Sequence, residues 1–161
     1  IGIFMQVEQA KKRMKVRIAA ITKQARSPIH AEALVINLAA IILHKLNIQE
    51  AAILTDNLTP AKAAAARMPS SQPGHWQIRS ILAEFCASTV SKKIQICHIN
   101  KAYNVEAHQA AQIACNQGIH PNQNAMMYCT NDSHQDWHNI LHQISLDVLY
   151  QGYATTHVNC S

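Results

Sequence analysis

A long apolar helix pattern stands between strand patterns in this sequence and sets its fold class. After Ser27 and Pro28, apolar residues recur at three- and four-residue intervals, as they do on one face of a helix. These residues are Leu34, Val35, Leu38, Ile41, Ile42 and Leu46. Ser followed by Pro is typical of a helix start, because Ser caps free N–H groups and Pro suits the first turn. The sequence therefore predicts a helix beginning at Pro28.

Strand patterns lie on both sides of this helix. Residues 1–7 are short and apolar, and residues 11–21 alternate between apolar and basic side chains, as a half-buried strand does. We expect these two segments to form a hairpin. Residues 50–56 and 94–99 are apolar runs of strand length.

Three further helices are expected. Thr59 and Pro60 supply an N-cap and first turn for an Ala-rich helix that ends near Met68, and residues 76–90 and 105–116 are also predicted helices. The predicted order is therefore β-β-α-β-α-α-β-α. Strands that alternate with helices indicate an α/β fold.

Length and composition favour one domain with a tail. The 161 residues are 48% hydrophobic, which suffices for one domain with a hydrophobic core. The chain is too short to divide convincingly into two domains. An Asn- and Gln-rich stretch begins after Gly118, so residues 118–161 are predicted to be a C-terminal extension, partly helical or disordered. His134, His138 and His142 share a helix face there, and we expect adventitious metal binding rather than a physiological site.

Charge and cysteine content restrict the partners. Lys and Arg exceed Asp and Glu by 14 to 9, and the net charge of +5 suits a polyanionic partner such as a nucleic acid. The five Cys residues are scattered and form no C-x-x-C pair, which predicts reduced thiols without disulfide partners in an intracellular protein of the nucleus or cytoplasm. No uninterrupted apolar run reaches bilayer-spanning length, so no membrane partner is expected.

Four polar residues stand at the ends of apolar elements. Asp56 ends a strand just before a helix, where open α/β sheets collect ligand-binding groups, and Glu32 lies one turn into the preceding helix. His98 follows the next strand, and His108 lies in the first turn of the helix after it. An ordinary structural explanation also exists, with Asp56 as a helix cap, Glu32 as a solvated acid and both His as surface or core residues.

Four segments carry a family resemblance. They are residues 27–33 (SPIHAEA), 53–57 (ILTDN), 76–79 (WQIR) and 98–108 (HINKAYNVEAH). In order and near-spacing they resemble the reverse-transcriptase-like type 1 ribonuclease H domain of plant retroelements, over roughly residues 1–117. The most specific segment is the last, where the family has a His, an Asn six residues later and an acid four residues after that. His98, Asn104 and His108 occupy these positions.

The resemblance implies both a fold and an activity. The fold would be a ribonuclease H-like mixed sheet with flanking helices, and the activity would be hydrolysis of the RNA strand of an RNA–DNA hybrid. Two Mg²⁺ ions held by clustered carboxylates would carry the reaction, with Glu32, Asp56 and His108 at metal-ligand positions. His98 would assist proton movement near the attacking water.

The sequence departs from the family in two places. The first strand with its leading aspartate is expected to be missing, because residues 1–6 resemble the second strand and no Asp precedes Asp56. His108 replaces the last acid, and a neutral imidazole suits Mg²⁺ poorly. Hydrolysis is therefore expected to be impaired. Without the first strand, backbone groups in the middle of the sheet lack partners, so we also expect poor folding or rearrangement.

Several polar residues are candidates for nucleic-acid contact. Arg13, Lys15 and Arg17 belong to the densest basic run and would contact phosphates, although a solvated edge strand explains them equally well. Asn57, Lys101 and Asn104 are further candidates within the matching segments. Three functions stay open: a ribonuclease H nuclease domain, a non-catalytic nucleic-acid-binding remnant of one, and a decay product without function.

Overall fold

The protein is described here from a computed structural model. The structure describes residues 1–9, 12–20, 25–69, 76–116, 126–129 and 154–160. Within these ranges it contains six strands and four helices, which are β1 (Gly2–Gln9), β2 (Lys12–Ala20), α1 (Pro28–Lys45), β3 (Glu50–Thr55), α2 (Leu58–Ala66), α3 (Arg79–Ser88), β4 (Lys93–His98), α4 (Val105–Asn116), β5 (Met126–Cys129) and β6 (Ala154–Cys160).

The fold is mixed α/β, and the predicted order of the first eight elements is confirmed. The described strands form two sheets, one with the order β1-β2-β6-β5 and one made of β3 and β4. The chain divides into two compact units, one of Ile1–Gln24 with Val105–Ser161 and the other of Ala25–Asn104. We call these the hairpin unit and the central unit.

The hairpin unit begins with the predicted β-hairpin. β1 and β2 pair antiparallel, with Gly2 opposite Ala19 and Gln6 opposite Lys15. Val16 and Ile18 are buried, whereas Lys15, which directly precedes Val16, is exposed. This confirms the alternation expected of a half-buried strand.

Two strands of the hairpin unit were not predicted. β6 pairs antiparallel with β2, and β5 pairs parallel with β6. Residues 126–129 and 154–160 fall within the segment predicted to be a partly helical or disordered extension, and here they are strands. The helix face expected to carry His134, His138 and His142 lies outside the described residues.

Helix α4 packs on the hairpin at very short range. A Cβ atom added to Gly2 would overlap the backbone carbonyl oxygen of Ala107 and come within 2.5 Å of the amide nitrogen of Ala111. Ala19 on β2 is buried with Ala110 and Ala114 of α4. Small residues on both elements therefore allow the helix and the strands to approach closely.

The central unit contains a parallel β3–β4 pair. Glu50 lies opposite Lys93 and Thr55 opposite His98, and α2 and α3 form the crossover between the two strands. Helix α1 packs against α3, α2 and β3, and its buried side chains include Leu34, Leu38 and Ile42. The core of this unit is completed by buried residues of the other elements, namely Ala61, Ala63, Ala64, Ile78, Ile81, Leu82, Phe85 and Ile94.

Helix α1 begins as predicted. The Ser27 side chain is the N-cap and accepts a hydrogen bond from the His30 backbone N–H, and Pro28 occupies the first turn. By length and composition alone α1 could cross a membrane, which the sequence prediction had excluded, but half of this stretch is buried within the protein. Core helices meet the same criteria.

Helix α2 begins and ends at residues other than those expected. Its N-cap is Asn57, whose side chain accepts from the Thr59 N–H, so the prediction of Thr59 as the cap was wrong. The helix ends at Ala66, and Arg67 follows with a left-handed backbone at φ 51°. Asn is the better cap of the two because its side chain reaches the first free N–H groups easily.

Candidate functional site

The site lies where the two parallel strands of the central unit end. Thr55 of β3 and His98 of β4 are opposite each other in the sheet, and the Ile99 backbone N–H continues the ladder with a bond of 2.9 Å to the Thr55 carbonyl. Asp56 follows Thr55 directly. The carboxyl ends of parallel strands therefore bring Asp56 and His98 to the same edge.

Glu32 joins this edge from helix α1. Its Oε2 accepts a hydrogen bond of 3.2 Å from the Thr55 hydroxyl. Burial raises the pKa of the Glu32 carboxyl, and the negative charge of Asp56 raises it further, while the Thr55 hydrogen bond opposes both effects. The charge of Asp56 therefore acts on the Glu32 carboxyl at this edge.

Asp56 is held from the other side by Asn104. The Asn104 amide nitrogen Nδ2 donates a hydrogen bond of 3.1 Å to Asp56 Oδ1. This contact ties the turn after β4 to the end of β3. The family resemblance predicted Asn104 as a nucleic-acid-binding residue, and the structure shows it orienting a carboxylate, which leaves the predicted contact untested.

The turn between β4 and α4 is tightly bonded. The Asn100 side chain accepts from the Ala102 N–H at 2.9 Å, and the Asn104 N–H donates to the Lys101 carbonyl at 3.0 Å. His98, Lys101 and Tyr103 are exposed along it. The backbone of this segment is therefore ordered while these three side chains face solvent.

The donor set at this edge suits at most one hard cation. Glu32 and Asp56 each use one carboxylate oxygen in a hydrogen bond and retain another, and Mg²⁺ is bound in proteins through one or two carboxylates together with waters and substrate phosphates. Among the described residues, no group of three or more His, Cys, Asp and Glu side chains is arranged to hold a metal. Binding of Mg²⁺ by Glu32 and Asp56 stays a prediction, as does the expected pair of ions.

Thr55 and Asn57 have roles in the site that sequence reasoning missed. Thr55 is buried, and besides contacting Glu32 its hydroxyl accepts from the Asn57 N–H at 3.2 Å. Asn57, a candidate for nucleic-acid contact, uses its side-chain oxygen to cap α2. A polar residue directly after the apolar residues 51–54 of β3 was the available signal for Thr55.

The basic candidates lie on β2 of the hairpin unit. Lys15 is exposed, and Arg17, two residues along on the same face, donates from Nε to Glu106 Oε2 at 2.6 Å. The Arg17 guanidinium also lies 5.9 Å from the centre of the Phe4 ring. Arg13 belongs to β2, but its side chain lies outside the described part of the structure. Arg17 would contact a phosphate only in competition with Glu106.

The four residues predicted to carry the chemistry fall into both units. Glu32, Asp56 and His98 belong to the central unit, whereas His108 is exposed on α4 of the hairpin unit. Their roles as catalytic or metal-binding residues stay predictions. No protein-family model, no curated protein and no solved structure matches this chain.

Proposed function

We propose that this chain is a ribonuclease H-like domain of the retroelement type, which binds RNA–DNA hybrids and hydrolyses the RNA strand with impaired activity. The observation that carries this proposal is the pair formed by Glu32 and Asp56. The two carboxylates share the carboxyl edge of the parallel strands, where burial and then the charge of Asp56 raise the pKa of Glu32. Mutual repulsion of this kind favours cation binding, because a cation neutralises both groups.

The supporting residues act on these carboxylates. Thr55 orients Glu32 and Asn104 orients Asp56, each through one hydrogen bond. Bound Mg²⁺ would supply the positive charge that activates water and stabilises the leaving oxygen. His98 is exposed at the same edge and is free to accept a proton from water at its imidazole nitrogen.

The impaired hydrolysis in this proposal follows from the small number of carboxylates at the site. Among the described residues, only Glu32 and Asp56 meet at this edge, whereas a two-ion site needs several acidic ligands. A domain of this kind retains hybrid binding more readily than hydrolysis, because binding depends on basic charge and shape rather than on the metals.

The test separates binding from cleavage. Binding of a fluorescent RNA–DNA hybrid is measured by anisotropy in EDTA, and cleavage of the labelled RNA strand is measured with Mg²⁺. We expect hybrid binding that weakens steeply with salt, and slow cleavage that Asp56→Asn abolishes. Glu50→Gln is the matched control, since it also removes one negative charge but lies at the opposite end of β3. Lack of hybrid binding at low salt would disprove the proposal.

A non-catalytic nucleic-acid-binding remnant is the second candidate. It is favoured by the lack of any metal-holding group of three or more His, Cys, Asp or Glu in the described residues. In this case the chain binds the hybrid in EDTA, and the labelled RNA stays intact with Mg²⁺ in both the original chain and the Asp56→Asn variant.

A further inference from the structure

The turn after β4 displays three side chains on an anchored backbone. The Ile99 N–H bonds to the Thr55 carbonyl at 2.9 Å, and the Tyr103 N–H bonds to the Asn100 carbonyl at 2.9 Å. The Asn104 side chain then fixes the end of the turn to Asp56. A backbone held at its start, middle and end presents its side chains in defined positions, so binding through them costs little ordering entropy.

Tyr103 is the most exposed large hydrophobic side chain in the described part of the chain, at 84% exposure. Lys101, two residues earlier, is also exposed. Within the described ranges, the side chains of Tyr103, Lys101 and His98 make no hydrogen bond or ion pair with other residues. Their aromatic and cationic groups are therefore free for a ligand.

Two basic side chains at the opposite end of the same sheet bond within the protein. Arg67 donates to the Thr89 hydroxyl at 3.1 Å and to the Ile94 carbonyl at 2.9 Å, and Lys92 donates to the Ile48 carbonyl at 2.9 Å. These contacts join loops and strands within the unit. Free cationic and aromatic groups thus occur together at the edge that carries Asp56, whereas Arg67 and Lys92 at the other end bond within the unit.

We propose that Tyr103 stacks on an unpaired nucleobase while Lys101 contacts an adjoining phosphate, so that the chain prefers hybrids with single-stranded nucleotides beside the carboxylates. This inference rests on the proposed function for its substrate class. Within a duplex the bases stack on one another, so an exposed ring reaches a base face only where a strand is unpaired. Aromatic stacking of this kind contributes about 1–3 kcal/mol per base.

Lys101 has a specific electrostatic role in this arrangement. A phosphate that approaches Asp56 and Glu32 meets two carboxylates, and the ammonium group of Lys101 offsets part of the repulsion. The phosphate contact depends on salt, whereas the stacking contact does not, since only the phosphate contact releases counterions. The two contributions can therefore be measured separately.

The experiment compares three fluorescent probes by anisotropy in EDTA. They are a blunt RNA–DNA hybrid, the same hybrid with an overhang of about six nucleotides, and a single strand of the overhang sequence. We expect the overhang to increase affinity over the blunt hybrid. Tyr103→Ala should weaken overhang binding about tenfold and leave blunt binding unchanged, whereas Tyr103→Phe should bind nearly as the original chain does.

Two controls make the result specific. Val90→Ala removes another exposed apolar side chain, 80% exposed, at the opposite end of the β3–β4 sheet, and should change no affinity. An overhang with abasic sites should bind the original chain and Tyr103→Ala equally, because it offers no base to stack on. Lys101→Ala should lower the slope of log affinity against log salt by about one.

Either of two outcomes would overturn the inference. One is equal overhang binding by the original chain and a Tyr103→Ala variant that circular dichroism shows to be folded. The other is an equal loss on blunt and overhang probes, which excludes base stacking. If single strands bind with the expected Tyr103 dependence but hybrids do not bind, the proposed function and the preference for hybrids fail, and stacking of Tyr103 on unpaired bases stands.

Discussion

Asn104 donates its side-chain amide to Asp56 Oδ1 across 3.1 Å, although the two residues are 48 positions apart. Asn104 follows the short turn after β4, and Asp56 follows β3. The contact therefore joins the ends of two parallel strands and sets the direction of the Asp56 carboxylate. Replacing the Asn104 amide by a carboxylate would turn this attraction to Asp56 into repulsion.

Asn104→Asp should destabilise the protein by about 1–2 kcal/mol at pH 7, because two carboxylates would then face each other. High salt should reduce this loss, because salt screens the repulsion between the two carboxylates. Asn104→Ala is the matched variant, since it removes the hydrogen bond without adding charge, and its loss should vary little with salt. Urea unfolding at low and high salt measures the difference, and equal salt dependence of the two variants would contradict the expectation.

Glu32→Gln should make the protein more stable at neutral pH. Burial and the charge of Asp56 raise the pKa of Glu32 above its usual value of 4.5. The contribution of Glu32 to stability is therefore fully present below about pH 4.5 and is lost as the pH rises through the folded-state pKa. Gln has no charge to desolvate and keeps an oxygen for the Thr55 hydroxyl.

The measurement for Glu32→Gln is the difference in free energy of unfolding between variant and original chain, followed from pH 3.5 to pH 7.5. We expect this difference to grow in favour of the variant as the pH rises. A variant that is less stable at pH 7.5 would show that the ionised carboxylate is stabilised in the folded chain.

Arg67 allows a paired test of backbone strain and side-chain bonding. Its guanidinium donates to buried Thr89 and to the Ile94 carbonyl, and it lies 5.8 Å from the centre of the Phe85 ring. Arg67→Ala should cost about 1–3 kcal/mol of stability through these lost contacts. Arg67→Gly loses the same contacts but accepts φ 51° without strain, so it should be about 1 kcal/mol more stable than the Ala variant.

Thermal or urea unfolding of the two Arg67 variants provides the comparison. The order of stability should be the original chain, then the Gly variant, then the Ala variant. If the Ala variant is at least as stable as the Gly variant, the left-handed conformation of residue 67 is absent in solution or is relieved when the side-chain bonds are lost.

Glu106→Gln tests whether Arg17 contacts nucleic acid. The Arg17–Glu106 pair is 41% and 42% exposed, so it contributes at most about 1 kcal/mol to stability. Loss of the Glu106 charge frees Arg17 for phosphates and should raise hybrid affinity roughly threefold at low salt. Glu50→Gln, with the same change of charge, should raise it less. Equal effects of the two variants would exclude Arg17 from the interface.

Local chemistry explains which elements the sequence could predict. Ser27 caps α1 through the N–H of His30, three residues away, and such short-range bonding is visible in a sequence. The N-cap of α2 was harder to predict, because Asn57 and Thr59 are both of residue types that cap helices. Only the position where β3 ends decides between them. The second strand of the hairpin followed from the alternation of residues 11–21.

Long-range pairing explains what the sequence could not predict. β6 is recognised by its pairing with β2, more than 130 positions earlier in the chain, and the Thr, His and Asn residues of 154–160 give little hydrophobic alternation. The role of Thr55 likewise depends on Glu32 of another element. Asp56 and His98 were predictable as neighbours because parallel strands end at one edge, whereas the partner of each side chain was not.

The parallel pairing of β3 and β4 also affects how the chain is made. β3 has no β4 to pair with until the crossover of residues 56–92 and then residues 93–98 have been synthesised. During translation its apolar Ala51, Ala52, Ile53 and Leu54 leave the ribosome well before their partner strand. Closing such a long crossover is slow, and an unpaired apolar strand aggregates readily. We therefore expect the yield of native protein to depend on protection of this strand by chaperones during synthesis.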